Sequence, residues 1–165
     1  MMTNESCRES GEERPSLCGA AWIRTGAILA GLAVCLGAFA AHGLDKELVR
    51  MYSGQTKIVV GEEVPAARKY LADFRTAAEY QMTHALGIIA AGILLGLRGG
   101  RLVSAAAWCF LLGIVLFSGS LYALVLSGRT ILGAITPFGG VLFIAGWTLL
   151  AMGAGTGSSS PGHEG

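Results

Sequence analysis

The chain has 165 residues, of which 53% are hydrophobic and only 14% charged, with a formal net charge of +1. A soluble domain carries about 25% charged residues to cover its surface, so this shortage excludes an ordinary water-soluble globule. The near-neutral balance, with Lys and Arg interspersed among carboxylates, excludes the general basic field that nucleic acid requires.

Residues 1–21 form a polar leader containing Glu12, Glu13, Arg14 and Pro15, and are expected to lack fixed structure. The first apolar stretch follows at residues 25–44. A helix rises about 1.5 Å per residue and the hydrocarbon core is about 30 Å thick, so a stretch of that length spans a membrane. Ala38-Phe39-Ala40 has the small-residue look of a signal-peptidase site, but the long polar leader argues for a retained helix. Cys35 here and Cys109 further on lie inside apolar stretches, whereas Cys7 and Cys18 lie in the leader. They read as packing residues and incidental thiols rather than a disulfide framework.

Residues 45–79 are the only sizeable hydrophilic connection. Within them, Tyr70, Leu71, Phe74, Ala77 and Ala78 recur at three- and four-residue spacing beside Arg68, Lys69, Asp73 and Arg75, and Pro65 suits a first helical turn. The pattern predicts an amphipathic helix over about 65–79, lying at the headgroup level and running into the second span.

Three further apolar stretches follow at about 80–97, 102–128 and 130–153, joined by Arg98-Gly99-Gly100-Arg101 and by a turn at Arg129. Connections this short make consecutive spans antiparallel neighbours. The predicted fold is all-α: one membrane domain over 22–153 with four transmembrane helices in two antiparallel hairpins, followed by a polar tail at 154–165 expected to lack fixed structure. Both termini then share one side, and the 45–79 loop lies opposite with Arg129. Seven Lys and Arg flank the spans on the loop side and five on the terminal side. The positive-inside rule therefore places the termini outside the cytoplasm.

In lipid, helices associate through close backbone approach rather than hydrophobic drive. Small residues four apart predict packing seams at Ala33, Gly37 and Ala41, at Gly92 and Gly96, and at Ala105, Cys109 and Gly113.

Polar residues inside the spans are the candidate site. His42 closes the first; Glu79, Gln81 and His84 open the second; Ser118, Ser120 and Tyr122 lie late in the third; Thr136 lies early in the fourth. The alternating directions put all of them in the loop-side half, where they are expected to converge. Pro137 removes a backbone donor and disfavours a helical Thr136, which predicts a break in the fourth span. The two imidazoles can donate, accept or titrate. They serve either as interhelical bonds that fix register or as a proton, ion or ligand site. Metal binding is not expected, because no short Cys/His cluster fixes a geometry. Ser118-Gly119-Ser120 lacks the flanking pattern of a nucleophile elbow, so no catalytic residue is assigned. No cofactor is expected, and the partners in view are the bilayer, a second copy or another membrane protein.

Four ordered motifs carry a family resemblance. They are Leu36-Gly37-Ala38-Phe39-Ala40-Ala41-His42-Gly43-Leu44, Tyr80-Gln81-Met82-Thr83-His84-Ala85-Leu86, Leu116-Phe117-Ser118-Gly119-Ser120-Leu121-Tyr122, and Ile135-Thr136-Pro137-Phe138-Gly139-Gly140 with Gly146-Trp147. The chain resembles the YgdD-like small inner-membrane proteins, domain of unknown function 423, a bacterial family with a eukaryotic transmembrane branch. The resemblance covers about residues 23–150. It implies a multi-pass membrane protein with no established reaction, and singles out His42, Gln81, His84, Ser118, Ser120, Tyr122, Thr136 and Pro137 by matching position. The leader and the loop around 58–65 depart from the family pattern and inherit nothing.

Overall fold

The computed structural model describes residues 14–155. Uncharged apolar runs leave the backbone no partner in lipid but itself, so helices form along them. The order is α1 (Arg14–His42), α2 (Leu44–Met51), a hairpin of β1 (Thr56–Val59) and β2 (Glu62–Pro65), α3 (Ala66–Arg98), α4 (Arg101–Ile114), a π-helical turn (Val115–Gly119), α5 (Ser120–Ser127), a 3-10 turn (Thr130–Ala134) and α6 (Thr136–Gly155). Among the described residues, four segments are long and apolar enough to cross a membrane: Cys18–His42, Ala66–Arg98, Arg101–Ser127 and Thr130–Gly155. This is a multi-pass α-helical membrane protein.

Two features differ from the sequence reading. The polar leader does not run to Ala21: the chain is already helical at Arg14, the first described residue, and Gly19 lies at a close backbone crossing, where a Cβ would lie 2.7 Å from the Gly92 carbonyl oxygen and 2.8 Å from the Gly96 nitrogen. Residues 1–13 and 156–165, where the rest of both tails was expected, lie outside the described residues. Second, residues 56–65 form an antiparallel hairpin with Thr56 opposite Pro65 and Val59 opposite Glu62. The amphipathic helix runs into the second span as expected, the two together forming α3, whose 33 residues reach about 50 Å. Tyr70, Phe74, Ala77 and Ala78 are buried as their spacing predicted.

Two cores result, both built on α3. The terminal-side core packs Ala85, Ile88, Ala91, Phe110, Ile114 and Phe143 within the spans. The loop-side core gathers Ala40, Leu44, Leu48, Tyr70, Phe74, Leu124 and Val125. Here α2 folds back on α3 as a cap. Burying a side chain such as Leu48 from water contributes about 1.5–3 kcal/mol. Tyr52, at the end of α2, donates to the Val125 carbonyl at 2.8 Å, and its ring lies 4.4 Å from that of Tyr70.

The packing of α1 on α3 fixes an axial offset that hydropathy does not show. Gly26 sits against Ala85 and Ile89, and Phe39 meets Phe74. Of the small-residue stripes, Ala33 is buried and Gly92 packs against Gly19 and Ile23, whereas a Cβ at Gly37 would meet open space. α3 and α6 run in the same direction; each packs its backbone chiefly on other helices, and the two meet through aromatic side chains, His84 stacking on Phe143.

Candidate functional site

Five of the predicted polar residues form bonds that tie elements together. Gln81 is buried on α3; its Nε2 donates to the Leu29 carbonyl of α1 at 2.9 Å, and its Oε1 accepts from the Tyr122 hydroxyl of α5 at 3.1 Å. One turn earlier on α3, the Ala77 carbonyl accepts from Ser118 Oγ at 2.8 Å. Ser118 belongs to the π-helical turn, a geometry that inserts one residue and redirects the side chains around it. Ser120 Oγ lies 3.0 Å from the Phe117 carbonyl and 2.9 Å from Thr136 Oγ1, which joins α5 to the start of α6. The set bridges α1, α3, the third span and α6.

Pro137 stands in the first turn of α6, just after the 3-10 turn and Ile135. The break in the fourth span therefore precedes the proline, where its missing N–H costs nothing. Immediately beyond it α6 makes its nearest approach to the π-helical turn: a Cβ at Gly139 would lie 2.5 Å from the Phe117 nitrogen.

His84 is buried on the same helix but belongs to an aromatic group. Its ring stacks on Phe143 with centroids 3.4 Å apart and planes at 8°. Phe110, Tyr80 and Trp147 lie at 5.7, 5.8 and 6.0 Å. Its Nδ1 lies 2.7 Å from the Tyr80 carbonyl. The sequence reading named His84, Tyr80 and Trp147 without grouping the rings around the imidazole, although Phe143 and Trp147 at i and i+4 already share a helix face.

Two expected members are absent from the cluster. Glu79 and His42 are exposed, and among the described residues neither side chain bonds to the other polar residues; only the Glu79 carbonyl is engaged, accepting from Thr83 Oγ1. Phe39 meets Phe74 while Leu29 meets Gln81. Extending that register places His42 opposite the turn at Tyr70, roughly 20 Å from His84 along the axis at 1.5 Å per residue. The expectation of one shared depth fails for His42 because α1 is slid along α3. Among the described residues, no group of three or more His, Cys, Asp or Glu side chains stands close enough to hold a metal.

Against known families, residues 36–140 match the model described as "Protein of unknown function (DUF423)". The chain belongs to this family. A UPF0382 membrane protein of Staphylococcus saprophyticus is 43% identical over 132 residues, covering 80% of this chain and 94% of the relative. The UPF0382 membrane protein YwdK of Bacillus subtilis is 42% identical over 134 residues, covering 81% and 94%. One from Haemophilus influenzae is 39% identical over 121 residues, covering 73% and 82%. No solved structure matches. The resemblance inferred from the four motifs is thus the family to which the chain belongs, and that family carries no established biochemical role.

Proposed function

We propose that this DUF423 protein is a non-catalytic accessory or scaffold component of the cytoplasmic (inner) membrane, in which the polar cluster fixes helix register and the loop-side cap meets a membrane-protein partner or a second copy. One observation carries the reading: the Gln81 amide and the Ser118, Ser120, Tyr122 and Thr136 hydroxyls are all engaged in bonds within the chain. A nucleophile or ligand site needs such groups free and converging on a space. These converge on backbone carbonyls and on one another. A carrier running through both histidines and the Pro137 break is disfavoured by the axial separation of His42 from His84.

The proposed sidedness, with the loop side in the cytoplasm and both termini outside, is supported by seven Lys and Arg on the loop side (Lys46, Arg50, Lys57, Arg68, Lys69, Arg75 and Arg129) against five on the terminal side. A protease site inserted between Val60 and Gly61 and a tag at the C-terminus, each probed from the outside of intact cells, test this. The tag should be reached and the hairpin protected.

The register role is tested with Ser118→Ala and Tyr122→Phe, unfolded in detergent and assayed in liposomes for proton and cation flux. Lowered stability with no protein-dependent flux is expected. Variants as stable as the parent, or flux that the parent carries and the variants lose, would remove the proposal.

A further inference from the structure

The hairpin at residues 56–65 leaves one strand edge open, and its backbone bonding fixes which groups line that edge. Val60 and Gly61 both have positive φ, 52° and 83°, as the two central residues of a type I′ turn do. The flanking pair, Val59 and Glu62, then exchanges both of its bonds, and so does every second pair beyond it. A bond from the Ala66 nitrogen to the Gln55 carbonyl at 2.9 Å continues this alternation past Lys57 and Val64. Thr56 and Ile58 therefore turn their N–H and C=O groups away from β2. The sheet has two strands, and among the described residues no other backbone bonds to this edge.

The two edges differ in chemistry. On β2 the outward positions are Glu63 and Pro65. The proline has no N–H to give, and two copies of this edge paired about Glu63 would set like charges opposite each other. β1 contains no proline, and its one charge is turned to the half-buried face, where Lys57 Nζ lies 5.7 Å from the centre of the Tyr70 ring. Natural edge strands are guarded by charges, prolines or bulges, and the outer face of β1 carries none of these. It carries Ile58, 80% exposed, beside a turn whose Val60 is 99% exposed. Positive φ is an outlier conformation for a β-branched residue, so an apolar side chain is presented there at a cost to the fold.

We infer that β1 pairs antiparallel with β1 of a second copy in the same membrane, making a four-stranded sheet on the loop side. The strand is self-complementary in the register that sets Ile58 of one copy opposite Ile58 of the other. In that register the outward N–H and C=O groups of the two Ile58 residues bond each other, Lys57 faces Val59 rather than another charge, and Thr56 lies beside Val60. The two exposed apolar residues of the hairpin are the ones the second copy covers. A two-stranded ribbon is marginal in water, and the added strands supply what it lacks. Both copies present the same edge on the same side of the bilayer, as an isologous two-fold contact requires. Confinement in the bilayer lowers the orientational cost of a contact this small. Such pairing deepens the accessory reading proposed above, on which it rests, by giving the loop-side cap its partner.

Cysteine pairing tests the register. Full-length Lys57→Cys and Val59→Cys proteins, each with the native cysteines replaced by alanine, are reconstituted into liposomes separately and as an equal mixture, then oxidised with copper phenanthroline. Positions 57 and 59 of opposite copies lie within disulfide reach in this register, whereas two residues at 57 or two at 59 do not, so the mixture should give at least about fivefold more linked dimer than either variant alone. Ile58→Pro, added to both proteins, removes the outward N–H and leaves the hairpin's own bonds in place, and should return the mixture to the level of the single variants. Amide exchange across residues 56–65 checks the hairpin in that variant. If the hairpin is lost, Ile58→Lys takes its place, since it keeps the strand and sets like charges opposite each other. Equal linkage in all three preparations, no linkage, or linkage indifferent to the Ile58 substitution would each overturn the pairing. Energy transfer between C-terminal fluorophores reads association through any face. Transfer without linkage between 57 and 59 would overturn the pairing and leave the accessory reading standing, whose own failure shows as protein-dependent flux.

Discussion

Replacing Gln81 with leucine separates the register role of the polar cluster from simple packing. The two side chains are similar in volume, so Gln81→Leu opens little cavity at a buried position and mainly deletes two hydrogen bonds. Interhelical bonds in membranes average about 0.6 kcal/mol with a maximum near 1.7, so two should contribute about 1–3 kcal/mol. The two losses are unequal. The Leu29 carbonyl lies mid-way along α1, where its intrahelical bond remains, whereas the Tyr122 hydroxyl loses the one acceptor it has among the described residues. Tyr122→Phe should accordingly cost less than Gln81→Leu. The double variant should cost less than the sum, because the orphaned hydroxyl is then gone. Reversible unfolding in mixed micelles, followed by far-ultraviolet circular dichroism, measures all three. A Gln81→Leu protein within about 0.3 kcal/mol of the parent, or strict additivity in the cycle, would refute the reasoning, since exposed or independent sites behave that way.

Gly139→Ala should destabilise by about 1–3 kcal/mol, because its Cβ would meet the Phe117 backbone at 2.5 Å and outweigh the helix propensity alanine adds; the same unfolding assay reads the sign. Val60 sits at φ 52 beside Gly61 in the hairpin turn and is 99% exposed, so Val60→Asn, which creates an Asn-Gly turn, should gain about 1 kcal/mol. Slower amide exchange across residues 56–65 is the measurement. Burial, and secondarily the neighbouring Tyr70, push the Tyr52 hydroxyl above its ordinary value of 10.0. The folded cap therefore favours the neutral phenol, and this contribution is complete below pH 10 and is lost as pH rises through the folded value. The stability gap between the parent and Tyr52→Phe should narrow above pH 10 and stay constant below it.

Hydropathy identified the spans because lipid selects each segment separately. It could not identify how far one segment slides along another. Residues 25–44 and 80–97 look like equal partners, yet Gly19 crosses closely on Gly92 and Gly96, and the last third of α1 lies beside the amphipathic turns of α3. That offset is a property of surface meshing between two helices, and no single stretch encodes it. The π-helical turn at Val115–Gly119 was equally hidden, since one inserted residue leaves the composition unchanged. The hairpin was more accessible: Thr56, Ile58, Val59 and Val60 are strand formers and Gly61 follows at the turn, but the charges of Lys57, Glu62 and Glu63 masked the pattern. Within the site, helix direction gave depth without giving face. Gln81, Ser118 and Ser120 point inward, while His42 and Glu79, grouped with them by sequence position, point out.

Close contacts at glycine hold helices together but tolerate sliding, because a small-residue seam offers similar contacts one turn away. Hydrogen bonds to single carbonyls do not tolerate it. A slide of one turn, about 5.4 Å, would carry Gln81 past the Leu29 carbonyl and Ser118 past that of Ala77. The Gln81–Leu29 bond joins α1 to α3 at the offset that sets Ala40 and Leu44 beside Tyr70 and Phe74, with α2 packed over Val125. On the proposed register role, losing that bond should loosen the loop-side cap as well as the spans, because both cores are built on α3.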